Sequence, residues 1–204
     1  MTAISWRSRP QHLAVQTLIF TLLTTLAWTQ TYDQSPGYAA YREADSQFVA
    51  KKMPEALSAL ERALQLDGKL VPALTLYAKI AMTMNRFELA RESLERALAA
   101  DPNADYARFL YGLNYYLTND LRHALPQFEK ARQANPRDSR AALYLGFTYE
   151  SLGRTQEALA QYQESVRLQP LTDSYLAGAR LLHLLGRLED SERWIQKALQ
   201  LEPA

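Results

Sequence analysis

The chain has 204 residues, 48% hydrophobic and 22% charged, with a formal net charge of +1. Such a balance excludes a disordered chain, which is poorer in apolar residues. It also leaves no clustered basic footprint for nucleic acid. With no cysteine there are no disulfides, no thiolate metal sites, no cysteine nucleophile and no lipid attachment to an N-terminal cysteine. Only 7 glycines occur among abundant Ala, Leu, Glu, Gln and Arg. Ala and straight-chain residues lose little freedom in a helix, so the composition predicts an all-α fold.

The first element is an export signal. Arg7, Arg9 and His12 precede an uncharged run from Leu13 to Trp28, 16 residues long. A basic start, an apolar middle and the small residues Thr25 and Ala27 fit a signal peptide over residues 1–27, cleaved before Trp28. The alternative is an uncleaved membrane anchor, for which the run falls short of the ~20 residues a spanning helix uses. Removal of the signal takes away Arg7 and Arg9 and leaves 21 basic against 22 acidic residues. The expected location is secreted or periplasmic, in the cell envelope, with membrane contact only through this segment if it stays. Residues 28–36 read as a linker.

The rest of the chain repeats itself. Ala56, Ala90, Ala124 and Ala158 stand 34 residues apart, followed by Ala63, Ala97, Ala131 and Ser165, then by Gly68, Pro102, Pro136 and Pro170. A last unit continues with Ser191, Ala198 and Pro203 after the loss of one residue between Pro170 and Ala179. A small residue recurs upstream at Ala44, Ala78, Gly112, Gly146 and Ala179, and a Tyr three positions later at Tyr115 and Tyr149, with Ala81 and Leu182 as variants. Apolar residues within each unit fall at helical spacing, as in Ala56, Leu57, Leu60, Ala63 and Leu64. Asn85, Asn119, Gly153 and Gly186 divide each unit where a left-handed residue can join two helices. The first unit departs from this with Lys51 and with Gln47 in the Tyr place, as a degenerate terminal repeat does. Five units follow: 37–70, 71–104, 105–138, 139–171 and 172–204.

Tyr111-Gly112-Leu-Asn-Tyr115 with Ala124, Phe128, Ala131 and Pro136, and Leu145-Gly146-Phe-Thr-Tyr149 with Gly153, Ala158, Tyr162 and Pro170, resemble the tetratricopeptide repeat family. The resemblance implies a right-handed superhelical solenoid of about five helix-turn-helix hairpins that binds a protein or peptide, with no cofactor. It also implies a concave groove lined by the first helix of each unit. The groove positions are Tyr38, Tyr41, Asp45 and Phe48; Thr75, Lys79 and Met82; Tyr106, Phe109, Leu113 and Tyr116; Leu143, Phe147 and Glu150; Leu176, Arg180 and His183. The family's carboxylate clamp is not reproduced, since Tyr41, Tyr106 and Leu110 stand where its basic residues would be. The expected ligand has apolar anchors and some negative charge, oriented by Lys79 and Arg180. Against this stands the reading in which the aromatics pack between neighbouring first helices.

No residue pattern predicts catalysis or a metal site. G-x-S-x-G, a Gly-rich phosphate loop, H-E-x-x-H and a calcium loop are all absent, and His123 and His183 lie sixty residues apart. The alternative function is structural assembly of the cell envelope through the array ends or the convex face. Trp194, Leu199 and Leu201 mark an end that could dock a partner or a second copy, giving a homo-oligomer. Pro126, inside a second helix, predicts either a late helix start or a bend in the first turn. N-terminal sequencing of protein from the envelope fraction is expected to begin at Trp28; an intact Met1 in a soluble cytoplasmic pool would exclude export.

Overall fold

The computed structural model describes residues 35–201, so the predicted signal and most of the linker lie outside it. The described residues contain ten α-helices and no strand, dividing into two compact units at the Asp67–Gly68 junction. The first unit is one hairpin, α1 (Pro36–Val49) and α2 (Met53–Leu66). The second holds four: α3 (Val71–Thr83) with α4 (Phe87–Ala100), α5 (Asp105–Leu117) with α6 (Leu121–Ala134), α7 (Ser139–Ser151) with α8 (Thr155–Leu168), and α9 (Thr172–Leu184) with α10 (Leu188–Leu201). This is the all-α solenoid expected from the repeat. No helix among the described residues is long and apolar enough to cross a membrane.

The turn inside every hairpin is built in one way. Lys51, Asn85, Asn119, Gly153 and Gly186 all take positive φ, between 58° and 74°. In each hairpin the next amide reaches back five residues: Lys52 to Gln47, Arg86 to Ala81, Asp120 to Tyr115, Arg154 to Tyr149 and Arg187 to Leu182, at 2.8–2.9 Å. That bond closes a Schellman motif and satisfies a carbonyl the helix end would leave bare. Lys51 departs from the Asn and Gly of the other units in residue type yet takes the same turn, although a side chain in the left-handed region costs about 1–2 kcal/mol. Pro36, Pro54 and Pro72 sit in first turns, where the missing N–H has no helical acceptor to lose.

Of the two expectations for Pro126, the late start is overturned. Helix α6 begins at Leu121 and runs unbroken to Ala134, the same fourteen residues as the other second helices. Asp120 accepts the His123 amide at 3.3 Å and secures the start ahead of the proline. Ala124 and Phe128 are both completely buried on either side of it.

Paired residues set how closely the two helices of a hairpin approach. A side chain added to Gly112 would meet Phe128 at 2.8 Å, and one added to Gly146 would collide with the Tyr162 ring. Glycine and ring are sixteen residues apart in both cases, and Ala44 with Leu60 and Ala78 with Leu94 hold the same places in the first two hairpins. All four of these residues are fully buried. An Ala facing Leu has become a Gly facing a ring, so volume shifts from one helix to the other. In the last hairpin the pair steps back one residue: the Trp194 ring lies on Gly178, while Ala179 keeps its repeat position and accepts Ser191 Oγ–H at 2.8 Å.

Trp194, expected at a docking end, is half buried and packs within its own hairpin. Its ring closes its own hairpin over Gly178 and meets Tyr175 edge-on at 5.4 Å. Leu199 and Leu201, 65% and 41% exposed, remain on the open face of α10. The pairing rule makes a direct prediction. Gly146→Ala is expected to destabilise by about 1–3 kcal/mol through overpacking, less up to ~1 kcal/mol of helix propensity regained. Adding Tyr162→Leu, which restores the Ala–Leu pair of the first hairpins, is expected to recover stability with a coupling of about 1 kcal/mol or more in a urea-denaturation cycle.

Candidate binding face

Helices α5 and α7 lie side by side as first helices of adjacent hairpins, and their aromatic residues form one continuous set of ring contacts. Phe128 and Tyr162, held in the core by the glycines opposite, are its base. Tyr144 stacks on Phe128 at 5.7 Å and meets Phe109 edge-on at 5.5 Å, while Phe147 stands edge-on to Tyr162 at 5.6 Å. Tyr116 then reaches Tyr144 at 5.8 Å and Phe147 at 6.4 Å, and Tyr106 stacks on Phe109 at 6.2 Å. Edge-on and offset contacts at these separations suit the quadrupoles of the rings. Tyr106, Tyr116, Tyr144 and Phe147 are only half buried, so the outer layer of this set meets solvent.

Charged groups flank the rings. The Arg140 guanidinium lies 5.1 Å above the Tyr106 ring and 5.4 Å from that of Phe109, fixed by Asp138 through bonds of 3.0 and 2.9 Å. Such a cation over a ring adds attraction and holds the guanidinium flat. On the other side Glu150 accepts the Tyr162 hydroxyl at 2.7 Å and pairs with Arg180 at 2.5 Å. Burial, then the bond to Glu150, pushes the Tyr162 hydroxyl above its ordinary pKa, and burial does the same to Tyr144. Both hydroxyls therefore stay protonated at physiological pH, and that of Tyr162 donates to Glu150.

The expected groove residues do not all reach this surface. Phe109 is 4% exposed and wedged between Phe128 and Tyr144, so its ring is a packing element with no face to offer a ligand. Thr75, Met82 and Leu143 are likewise buried. The reading in which aromatics are packing residues describes Phe109. Lys79 and Leu113 are half buried, and Arg180 and His183 are exposed on α9. Tyr38 and Tyr41 belong to the first unit, where their half-buried rings pair at 5.4 Å. Reasoning from the repeat missed Tyr144 and Arg140. Tyr144 stands where the preceding hairpin has Leu110, so only its excess size over the register could have marked it.

The arrangement offers flat apolar area, hydroxyl donors and fixed charges, which suit the binding of side chains. Among the described residues no group of His, Asp or Glu is placed to hold a metal ion.

Comparison with known proteins agrees with this architecture. The tetratricopeptide repeat family matches residues 50–110, and the family of anaphase-promoting complex (cyclosome) subunit 3 matches residues 93–165. The tetratricopeptide repeat is thus matched over residues 50–110. Among solved structures it is similar to pilF of Pseudomonas aeruginosa, with TM-score 0.76, 22% identity, and 80% of this chain and 75% of that one covered. It is similar to MamA, with TM-score 0.67, 21% identity and coverage of 77% and 92%. A third is YrrB, described as a tetratricopeptide protein with an unusual peptide-binding site, with TM-score 0.64, 19% identity and coverage of 88% and 92%. At these identities the likeness shows the fold. No curated protein matches the sequence.

Proposed function

We propose that this chain is an exported, non-catalytic scaffold that captures a peptide or protein segment on the first-helix face of its second unit. The observation behind this reading is the half-buried outer layer of rings, Tyr106, Tyr116, Tyr144 and Phe147, resting on fully buried Phe128 and Tyr162. Rings already fixed by neighbours lose little entropy when a ligand covers them, and aromatic anchors of this kind commonly dominate binding energy. The peptide-binding site named for YrrB lends support by analogy of fold. The rings favour a ligand with apolar anchors, and Arg180, exposed beside Glu150, is placed to meet a negative group on it, adding orientation more than affinity. Export rests on the pattern from Arg7 to Ala27.

Capture from envelope extract tests the face. Tyr106→Ala with Tyr116→Ala is expected to weaken retention of a specific partner about tenfold or more, with helicity nearly unchanged. Phe109→Ala is the contrasting control, expected to lower stability by about 3–5 kcal/mol because it empties part of the core. A partner retained equally by wild type and the double variant would set this face aside.

A second reading, assembly through the array end, is favoured by the apolar side chains on the open face of the last hairpin. Leu188, Ile195 and Leu199 are 58%, 43% and 65% exposed. Glu192 stands where α8 buries Leu159, which lessens that face without removing it. Self-association here is expected to appear as concentration-dependent sedimentation abolished by Leu199→Glu; a monomer at high concentration in wild type rejects it.

A further inference from the structure

A second site lies away from the ring face, between the second helices α8 and α10. The repeat's Tyr explains why it exists. In the hairpin before, Tyr149 fills the space between α6 and α8: its hydroxyl donates to Glu129 at 3.2 Å and the Arg154 guanidinium covers its ring at 4.4 Å. Beside it Arg132 bridges to Glu164 at 3.4 Å, joining the same two helices. One junction earlier Tyr115 serves in the same way, stacking on His123 at 5.2 Å and sharing a 3.0 Å hydroxyl contact with Tyr111, which donates to Glu95.

The last junction has lost this filling. By the repeat offset Tyr149 becomes Leu182, Glu129 becomes Gln163, Arg132 becomes Val166 and Glu164 becomes Lys197. The space is open as a cleft of about 660 Å³, with Tyr175 and Trp194 on its walls. That volume lies in the range of small-ligand sites. The charge balance has also moved, from a junction where Glu129 and Glu164 stand with Arg132 and Arg154 to one with an excess of cations. Where the earlier junction placed Glu129 and Glu164, the cleft has Gln163 and Lys197, with Arg187 and Arg193 at its rim sharing the single carboxylate of Asp190. Among the described residues Lys197 has no ion-pair partner, and the charged groups lining the cleft are three cations and one anion.

We infer that the cleft between α8 and α10 is a binding site for an acidic peptide segment that supplies what the last repeat lacks, an aromatic ring beside a carboxylate. The ring takes the space of Tyr149 against Trp194 and Tyr175, and the carboxylate meets Lys197 in the place of Glu129 and Glu164. This site lies on second helices and is independent of the ring face on α5 and α7.

The probe is a fluorescein-labelled peptide of one tyrosine flanked on each side by two glutamates, titrated by anisotropy at low salt. Saturable binding is expected, at least tenfold weaker for the version with glutamines in place of glutamates and for Lys197→Glu, whose exposed side chain can reverse charge without unfolding. Gln163→Glu with Leu182→Tyr refills the cleft with the protein's own ring and carboxylate, and is expected to abolish binding while helicity is kept. Tyr106→Ala with Tyr116→Ala is expected to leave it unchanged. No saturable binding up to about 1 mM, equal binding of the glutamine peptide, or binding indifferent to Lys197→Glu would each overturn the proposal. Loss of binding in the Tyr106→Ala, Tyr116→Ala variant alone would also overturn it, by assigning the peptide to the ring face.

Discussion

Everything in the hairpins depends on how closely two antiparallel helices can cross, and one pair of residues decides it. A first-helix residue and a second-helix residue sixteen positions later share one volume. Ala44 with Leu60 and Ala78 with Leu94, all fully buried, hold these places in the first two hairpins, while Gly112 with Phe128 and Gly146 with Tyr162 give nearly all of the volume to the ring. Interiors pack at near-crystalline density, so neither partner can grow unless the other shrinks. The last hairpin obeys the same constraint with its register moved: Trp194 is too large for the usual place and takes Gly178 with it.

That exchange of volume also creates the candidate binding face. Once Phe128 and Tyr162 occupy the crossing, rings on the first helices find aromatic partners beneath them, and Tyr144 links the two hairpins by touching both Phe109 and Phe147. The outer rings are therefore continuous with the core, and their orientation is set before any ligand arrives. Stability and recognition draw on the same side chains, which is why Phe109, one layer deeper than Tyr106, belongs wholly to packing.

Within the second unit, similar hairpins packed in series make each departure from the pattern informative. A repeat solenoid is held by contacts between neighbours only, so a change at one junction is not compensated elsewhere. Replacing Tyr149 by Leu182 and Glu164 by Lys197 alters one junction locally, leaving a cationic cleft where the junction before it is bridged by Tyr149 and by Arg132 with Glu164. The same locality lets Lys51 sit in a left-handed turn whose hydrogen bonds match those of Asn85 and Gly153.

The hairpins, their turns and the lost residue before the last unit were legible in the sequence, because helix periodicity and turn chemistry are local and repeat at a fixed spacing. Small residues at Gly112 and Gly146 announced close crossings for the same reason. Depth was not legible. Tyr106, Phe109 and Tyr144 are similar rings at helical spacing, and only the enclosure of Phe109 by Tyr106, Phe128 and Tyr144 separates the buried one from the two that reach solvent. Trp194, placed by register beside Gln161, was free in sequence to face outward; the gap above Gly178 turned it inward. Pro126 broke a local rule, yet α6 starts on time because the Asp120 cap and the burial of Ala124 and Phe128 hold both sides of it. Local chemistry determined where helices begin, end and touch, whereas the exposure of each ring depended on neighbours distant in sequence, which only the tertiary structure brings together.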